Sequence, residues 1–140
     1  MLRSGWLAAC ASVRADLQTV MAERNLERRS RLALEYADRA LTSAREAYRK
    51  GDLELATERI ELVQKSVELA GASLDETGKN PRRRPKWFKR AEISIRELLK
   101  KLDAFEREMA AADREMLSKA TASIQTVHDN LLFGLMEGKK

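Results

Sequence analysis

The chain has few of the residues from which catalytic and metal sites are usually built. Its 140 residues include one cysteine and one histidine. A zinc finger, a disulfide framework and a His-rich metal site each need more of them, and no Cys/His nucleophilic pair of an obvious kind is present. No apolar run approaches the roughly 18 residues that a membrane-spanning helix needs. The sequence therefore predicts one small domain with no metal or other cofactor and no transmembrane span.

Familiar catalytic motifs are missing as well. The chain contains no Gly-rich phosphate loop, no G-x-S-x-G and no H-E-x-x-H. The single histidine, His128, follows Gln125 by three positions, so it lacks the Glu-x-x-His spacing of di-iron bundles. We expect His128 to be a polar helix residue with a local hydrogen bond, and we expect the protein not to be an enzyme.

Proline and glycine mark the breaks between predicted helices. Pro81 and Pro85 interrupt helical hydrogen bonding, and Gly51 before Asp52 is typical of a tight turn between helices. Between the breaks, apolar residues recur in steps of three and four, as in an amphipathic helix. The seam after Gly51 consists of Leu53, Ala56, Ile60, Val63, Val67, Ala70 and Leu74. The pattern predicts an all-α protein, an antiparallel bundle of three to four long helices with coiled-coil-like packing.

The predicted helices cover about residues 15–50, 52–77, 86–110 and 113–136 of a single bundle domain at 15–137, with a loop at 78–85. A continuous helix over residues 86–136 would be about 75 Å long, roughly twice the length of the second helix. Asp113, a competent N-cap, and a slip in the apolar rhythm after Met116 favour a chain that folds back near Ala110 to Asp113. The alanines at 110–112 favour a continuous helix, which would form a homodimer to cover its apolar stripe.

The first 14 residues resemble a degenerate export signal. An uncharged, mostly apolar stretch follows Arg3, and Ala9-Cys10-Ala11 looks like a signal-peptidase site. Leu7-Ala8-Ala9-Cys10 also resembles a bacterial lipobox, in which Cys10 is the lipidated residue. The alternative interpretation is that this segment is the start of a helix. Export to the periplasm or envelope and a cytoplasmic location therefore both stay open.

The positive charge of the chain is concentrated in one segment. The chain carries 27 Lys and Arg against 22 Asp and Glu, a net charge of +5. Residues 79–90, called the basic segment from here on, contain seven cations and no acid, which leaves 20 cations and 22 acids in the rest. Helix dipoles favour acids at a helix start, yet Lys86, Lys89 and Arg90 lie in the first turns of the third predicted helix. This placement favours a binding role.

Seven residues of the basic segment form the predicted binding site for an anion or a partner: Arg82, Arg83, Arg84, Lys86, Trp87, Lys89 and Arg90. Between two prolines we expect the arginines to lie in a stiff, extended stretch that presents their guanidinium groups outward. The site predicts a non-enzymatic interaction or scaffold protein that binds a protein partner or an anionic envelope surface. A nucleic-acid-associated protein that uses the same residues is the alternative. A solvated loop without a partner is the third interpretation.

The residues around Gly51 resemble one hairpin of the tetratricopeptide family. The family's small, aromatic and turn residues have counterparts at comparable offsets in Ala44-Arg45-Glu46-Ala47-Tyr48-Arg49-Lys50-Gly51-Asp52-Leu53-Glu54-Leu55-Ala56, followed by Ile60. The likeness covers about 30 residues, departs from the family's pattern at Ala40, Val63 and Glu68, and has no second copy at a period of about 34 residues. The resemblance implies an antiparallel hairpin and a protein-binding role.

Overall fold

The computed structural model describes residues 17–137, and this part consists of helices and turns with no strand. Four long helices follow one another: α1 (Leu26–Arg49), α2 (Leu53–Glu76), α3 (Lys86–Glu108) and α4 (Glu115–Glu137). A short helical stretch at 17–22 precedes α1, and a 3-10 turn at Ala111–Asp113 joins α3 to α4. The predicted all-α antiparallel helical bundle is confirmed. The predicted export segment at 1–14, with Cys10, lies outside the described residues.

The hairpin of α1 and α2 forms the widest helix–helix contact in the described part. The α1 helix contributes small side chains that are at most 2% exposed, namely Ala33, Ala37, Ala40, Ala44 and Ala47. Because alanine carries only a methyl group, the two backbones approach closely. Gly51 takes a positive φ of 81° in the turn, and the Asp52 carboxylate caps α2 by accepting a hydrogen bond from the Leu55 N–H at 3.1 Å. The resemblance to a tetratricopeptide hairpin stays a prediction.

The two hairpins of the bundle lie side by side, with α3 on α1 and α4 on α2. In each pair the residue numbers of successive contacts rise together on both helices, so the helices of a pair are parallel. The contacts are Asp38–Lys101 and Arg45–Glu108 for α1 and α3, and Glu68–Ser123 and Gly71–Val127 for α2 and α4. The helices α2 and α3 are therefore diagonal to each other. Their connection, residues 77–85, crosses one end of the bundle.

The first predicted helix, at about 15–50, is wrong at residues 23–25, which interrupt it. The Asn25 side chain accepts a hydrogen bond from the Arg28 N–H at 2.9 Å and thereby caps α1. Glu23 accepts a hydrogen bond from the Asn25 N–H at 3.2 Å. Asparagine side chains compete well for the free N–H groups at a helix start, so a local interaction separates two helical stretches here.

The chain folds back between α3 and α4, as one of the two predicted alternatives required. Met109 takes extended backbone angles of φ −76° and ψ 147°, which end α3. Asp113, which was expected to cap the last helix, instead accepts a hydrogen bond from the Tyr48 hydroxyl at 2.8 Å, and α4 begins two residues later. The same hydroxyl accepts from the Ala110 N–H at 2.9 Å, so one tyrosine on α1 fixes both sides of the turn. A homodimer stays a prediction.

Ion pairs connect this end of α3 to α1. The Glu108 carboxylate accepts hydrogen bonds from Arg45 at 2.5 Å and from Arg49 at 3.0 Å. The hydrogen bond from Arg45, followed by that from Arg49, holds the pKa of Glu108 below its ordinary value. A carboxylate with a lowered pKa stabilises the folded state above the pKa of the unfolded chain, and this contribution is lost as the pH falls through the folded pKa.

The helices α2 and α4 approach each other where α2 has a glycine. A Cβ on Gly71 would lie 2.9 Å from the Cγ1 atom of Val127 on α4, which is closer than ordinary van der Waals contact. Valine is β-branched and stiff at χ1, so its methyl group does not move aside freely. The missing side chain at Gly71 therefore keeps this helix–helix contact short.

We expect Gly71→Ala to destabilise the wild-type protein but to stabilise a Val127→Ala variant. In the wild type, overpacking against Val127 costs about 1 to 3 kcal/mol, which outweighs the preference of about 1 kcal/mol for alanine in a helix interior. Once Val127 is shortened, only that preference remains. Urea unfolding of the two single variants, the double variant and the wild type measures the free energy of unfolding. Equal effects of Gly71→Ala in both backgrounds would contradict the close contact.

We expect Glu108→Gln to lower the thermal unfolding midpoint near pH 7 and to have less effect in acid. The ionised carboxylate stabilises the fold in full above the ordinary glutamate pKa of about 4.3. Protonation removes the charge that Arg45 and Arg49 bind as the pH falls through the lowered pKa of the folded state. Circular dichroism melts near pH 7, pH 4 and pH 3 follow the difference from the wild type. Glu61→Gln, at an exposed carboxylate of α2, is the matched control. A difference that stays constant across these pH values would contradict the ion pairs.

Candidate functional site

The basic segment crosses the end of the bundle where α1 and α3 begin and α2 and α4 end. Its first residue, Lys79, forms an ion pair with Glu27 at the start of α1. Pro81 is buried against Gly134 of α4, where a Cβ would lie 3.2 Å from the proline Cγ atom. Further along, Phe88 is 4% exposed and belongs to the core. The segment is therefore attached to the bundle on both sides of its arginines.

The arginines lie in a compact turn, so the predicted extended stretch between the two prolines is wrong. The backbone N–H groups of Arg83 and Arg84 donate to the Asn80 carbonyl oxygen at 3.1 and 2.9 Å. The N–H of Arg82 donates to the Asn80 side-chain oxygen at 3.0 Å. A proline directly after the first residue suits such a turn because its φ is already fixed. All three arginine side chains are exposed.

Six cations of the basic segment have no acidic partner within residues 17–137. Among the described residues, no carboxylate oxygen lies within 4.0 Å of a charged nitrogen of Arg82, Arg83, Arg84, Lys86, Lys89 or Arg90. Elsewhere in the bundle several exposed cations are paired, for example Lys101 with Asp38 at 2.5 Å and Arg96 with Glu92 at 2.8 Å. The positive charge of these six residues is therefore not neutralised locally.

Two of the six cations lie over the ring of Trp87. The Nζ atom of Lys86 is 5.2 Å from the ring centroid, and the Cζ atom of Arg90 is 5.1 Å from it. Contacts of this length are attractive cation–π interactions. The indole is half-buried and packs against the core, so both cations lie next to a side chain that is itself held in place.

The start of α3 adds to the positive field. Its first turn contains no acid, and its N-cap residue, Pro85, has no side-chain acceptor. The free N–H groups of a helix start carry a partial positive charge that favours anions. A surface cavity of about 250 Å³ opens at this point, and it is lined by Glu27, Lys79, Arg84, Pro85, Lys86, Trp87 and Phe88. The charges and the cavity together suit an anionic group such as a phosphate.

The structure brings all seven predicted site residues to the same end of the bundle. Arg82 to Arg84 lie on the turn, and the other four lie on the first two turns of α3. Sequence reasoning missed Asn80, although an Asn-Pro pair is a turn signal. It also missed the pairing of Lys79 with Glu27, because these residues are 52 positions apart and no sequence pattern connects them.

His128 lies between α3 and α4, and its predicted local hydrogen bond is wrong. Its side chain is 12% exposed, and neither ring nitrogen has a hydrogen-bond partner within the described residues. Nε2 lies 3.8 Å from the carboxylate of Glu92, and Nδ1 lies 3.7 Å from that of Asp129. In the same part of the chain, no group of three or more His, Cys, Asp or Glu side chains is arranged to bind a metal ion.

No protein-family model matches the chain, and no curated protein sequence matches it either. None of the helices between residues 17 and 137 combines the length and the apolar character that crossing a membrane requires.

Proposed function

We propose that this protein is a non-enzymatic helical bundle that binds an anionic lipid surface through the basic segment. The supporting observation is a set of six cations at one end of the bundle that have no acidic partner in the part of the chain that the structure describes. The phosphate groups of lipid headgroups carry the complementary charge. The bundle serves as the scaffold, since the segment is held in place by the packing of Pro81 against α4 and by Phe88 in the core.

The charge distribution favours a lipid surface over a nucleic acid. Outside the basic segment the chain carries 20 cations and 22 acids, so the sides of the bundle do not attract a long polyanion. A bilayer presents many phosphates in one plane, which the end of a bundle meets without involving its sides. Nucleic-acid binding through the same residues is the alternative function, and it is tested together with lipid binding.

The expected strength of binding follows from the number of cations. A cation near an anionic bilayer contributes about 1 kcal/mol, and the attraction declines within a Debye length of about 8 to 10 Å. Three exposed arginines on one turn therefore contribute about 3 kcal/mol, which corresponds to roughly 100-fold in affinity. Because the attraction is electrostatic, it weakens as the salt concentration rises.

We expect replacement of the three arginines by glutamine to weaken binding to phosphatidylglycerol vesicles by about 100-fold at low salt. Co-sedimentation measures the binding, and neutral phosphatidylcholine vesicles give its charge dependence. The variant is Arg82→Gln/Arg83→Gln/Arg84→Gln. A control with the same loss of charge, at exposed positions on the sides of the bundle, is Lys65→Gln/Lys100→Gln/Lys119→Gln. Circular dichroism checks that both triple variants keep the helicity of the wild type.

Equal losses in the two triple variants would show that only total charge matters and would overturn the site. Unchanged vesicle binding after loss of the arginines would do the same. A duplex DNA gel-shift measurement is run with all three proteins. Binding to DNA that depends on the arginines, without binding to vesicles, would establish the nucleic-acid alternative instead.

A further inference from the structure

The end of the bundle with the basic segment also has most of the exposed apolar side chains. Six large hydrophobic side chains in the described part are exposed, and four of them lie at this end: Met21 (57%), Leu132 (38%), Phe133 (62%) and Met136 (65%). Of the other two, Leu53 lies at the opposite end and Ile93 lies along α3. Single exposed hydrophobic residues are ordinary, but a group of them indicates a contact surface.

The last two turns of α4 are apolar on both faces. Leu131 is 6% exposed, and Leu135 packs against the core, so these residues form the inner face of the helix. Phe133 and Met136 lie on the outer face and are more than half exposed. Glu137 is the only acid from residue 131 to the end of the helix. Packing against the bundle therefore explains why the inner face of this helix end is apolar, but it does not explain the apolar residues on the outer face.

The basic segment and this end of α4 belong to one surface. Pro81 packs directly on Gly134, and Arg82 follows Pro81 in the chain. We call the combined surface the docking end; it consists of Arg82, Arg83, Arg84, Leu132, Phe133 and Met136. Beyond Glu137 the sequence continues with Gly-Lys-Lys, which adds two cations to the chain directly after α4. Lysines therefore follow the apolar group in the sequence, and the contact of Pro81 with Gly134 brings the three arginines to it in the fold.

We infer that the docking end inserts shallowly into an anionic bilayer, with Phe133 and Met136 at the boundary of headgroups and acyl chains while the arginines bind phosphates. This inference rests on the proposed function and adds the apolar half of the contact. A lipid surface presents phosphates above hydrocarbon, which matches cations beside apolar side chains. A second copy of this chain placed on the same patch would bring its own arginines there, and the like charges would repel.

Labelling with an environment-sensitive fluorophore tests the insertion directly. Met136→Cys is prepared in a Cys10→Ser background, so that the label attaches only at position 136 because the chain has one native cysteine. Leu53→Cys in the same background is the control, since this residue is also exposed but lies at the opposite end. On addition of phosphatidylglycerol vesicles we expect a blue shift and an increase in emission at position 136 and no change at position 53.

Removal of the apolar side chains tests their share of the binding. We expect Phe133→Ser/Met136→Ser to weaken binding to phosphatidylglycerol vesicles by about tenfold or more, and to remove the binding that persists at about 0.5 M salt, where electrostatic attraction is screened. Leu53→Ser removes an exposed hydrophobic side chain at the opposite end of the bundle and should leave binding unchanged.

The outcomes separate this inference from the proposed function. Binding that depends on the arginines while the label at position 136 stays in water overturns the insertion and leaves headgroup binding intact. An equal response of the label at position 53 also overturns the insertion. A wild-type protein that does not bind phosphatidylglycerol vesicles overturns both proposals. Sedimentation without vesicles shows whether Phe133→Ser/Met136→Ser dissociates a dimer, which would assign the patch to a second copy instead.

Discussion

The close approach of α1 and α2 is the contact on which the rest of the bundle depends. A row of alanines on α1 leaves little side-chain volume between the two backbones, so the hairpin forms a thin first layer. The second hairpin then packs on this layer, with α4 close to α2 at Gly71 and α3 joined to α1 by ion pairs such as Arg45 with Glu108. Because α3 packs on α1 and α4 packs on α2, the chain passes diagonally from α2 to α3, and the basic segment makes that crossing.

The two ends of the bundle satisfy their polar groups differently. At the end where α3 turns into α4, Glu108 binds two arginines, and the Tyr48 hydroxyl bonds on both sides of the turn. At the other end only Lys79 has an acidic partner among the described residues of the basic segment. The crossing itself needs Asn80 for the turn and Pro81 for the contact with α4, but it does not need three consecutive arginines. Folding of the crossing therefore does not account for their charge.

Much of the architecture was predictable because it follows from periodicity and from strong local breaks. The alternation of three and four residues identified the helices, and Gly51, Pro81 and Pro85 located the main connections. The interruption before Leu26 was missed, since an Asn25 side chain that caps a helix resembles any other polar residue in the sequence. Asp113 was given the wrong partner, because its bond to Tyr48 joins residues 65 positions apart. His128 lies on a helix as predicted, but the local hydrogen bond expected for it was wrong, since its ring lies between Asp129 and Glu92 of α3 without a hydrogen bond to either.

The sequence by itself determined the helices, their breaks and the location of the positive charge in twelve consecutive residues, because these features depend on near neighbours in the chain. Only the tertiary structure decided the order in which the helices pack, since each helix carries an apolar stripe that several arrangements could bury. It also decided that the basic segment crosses the end where α4 exposes Phe133 and Met136. That juxtaposition joins residues about fifty positions apart, and it exists because α4 packs parallel to α2 and passes beneath the crossing at Gly134.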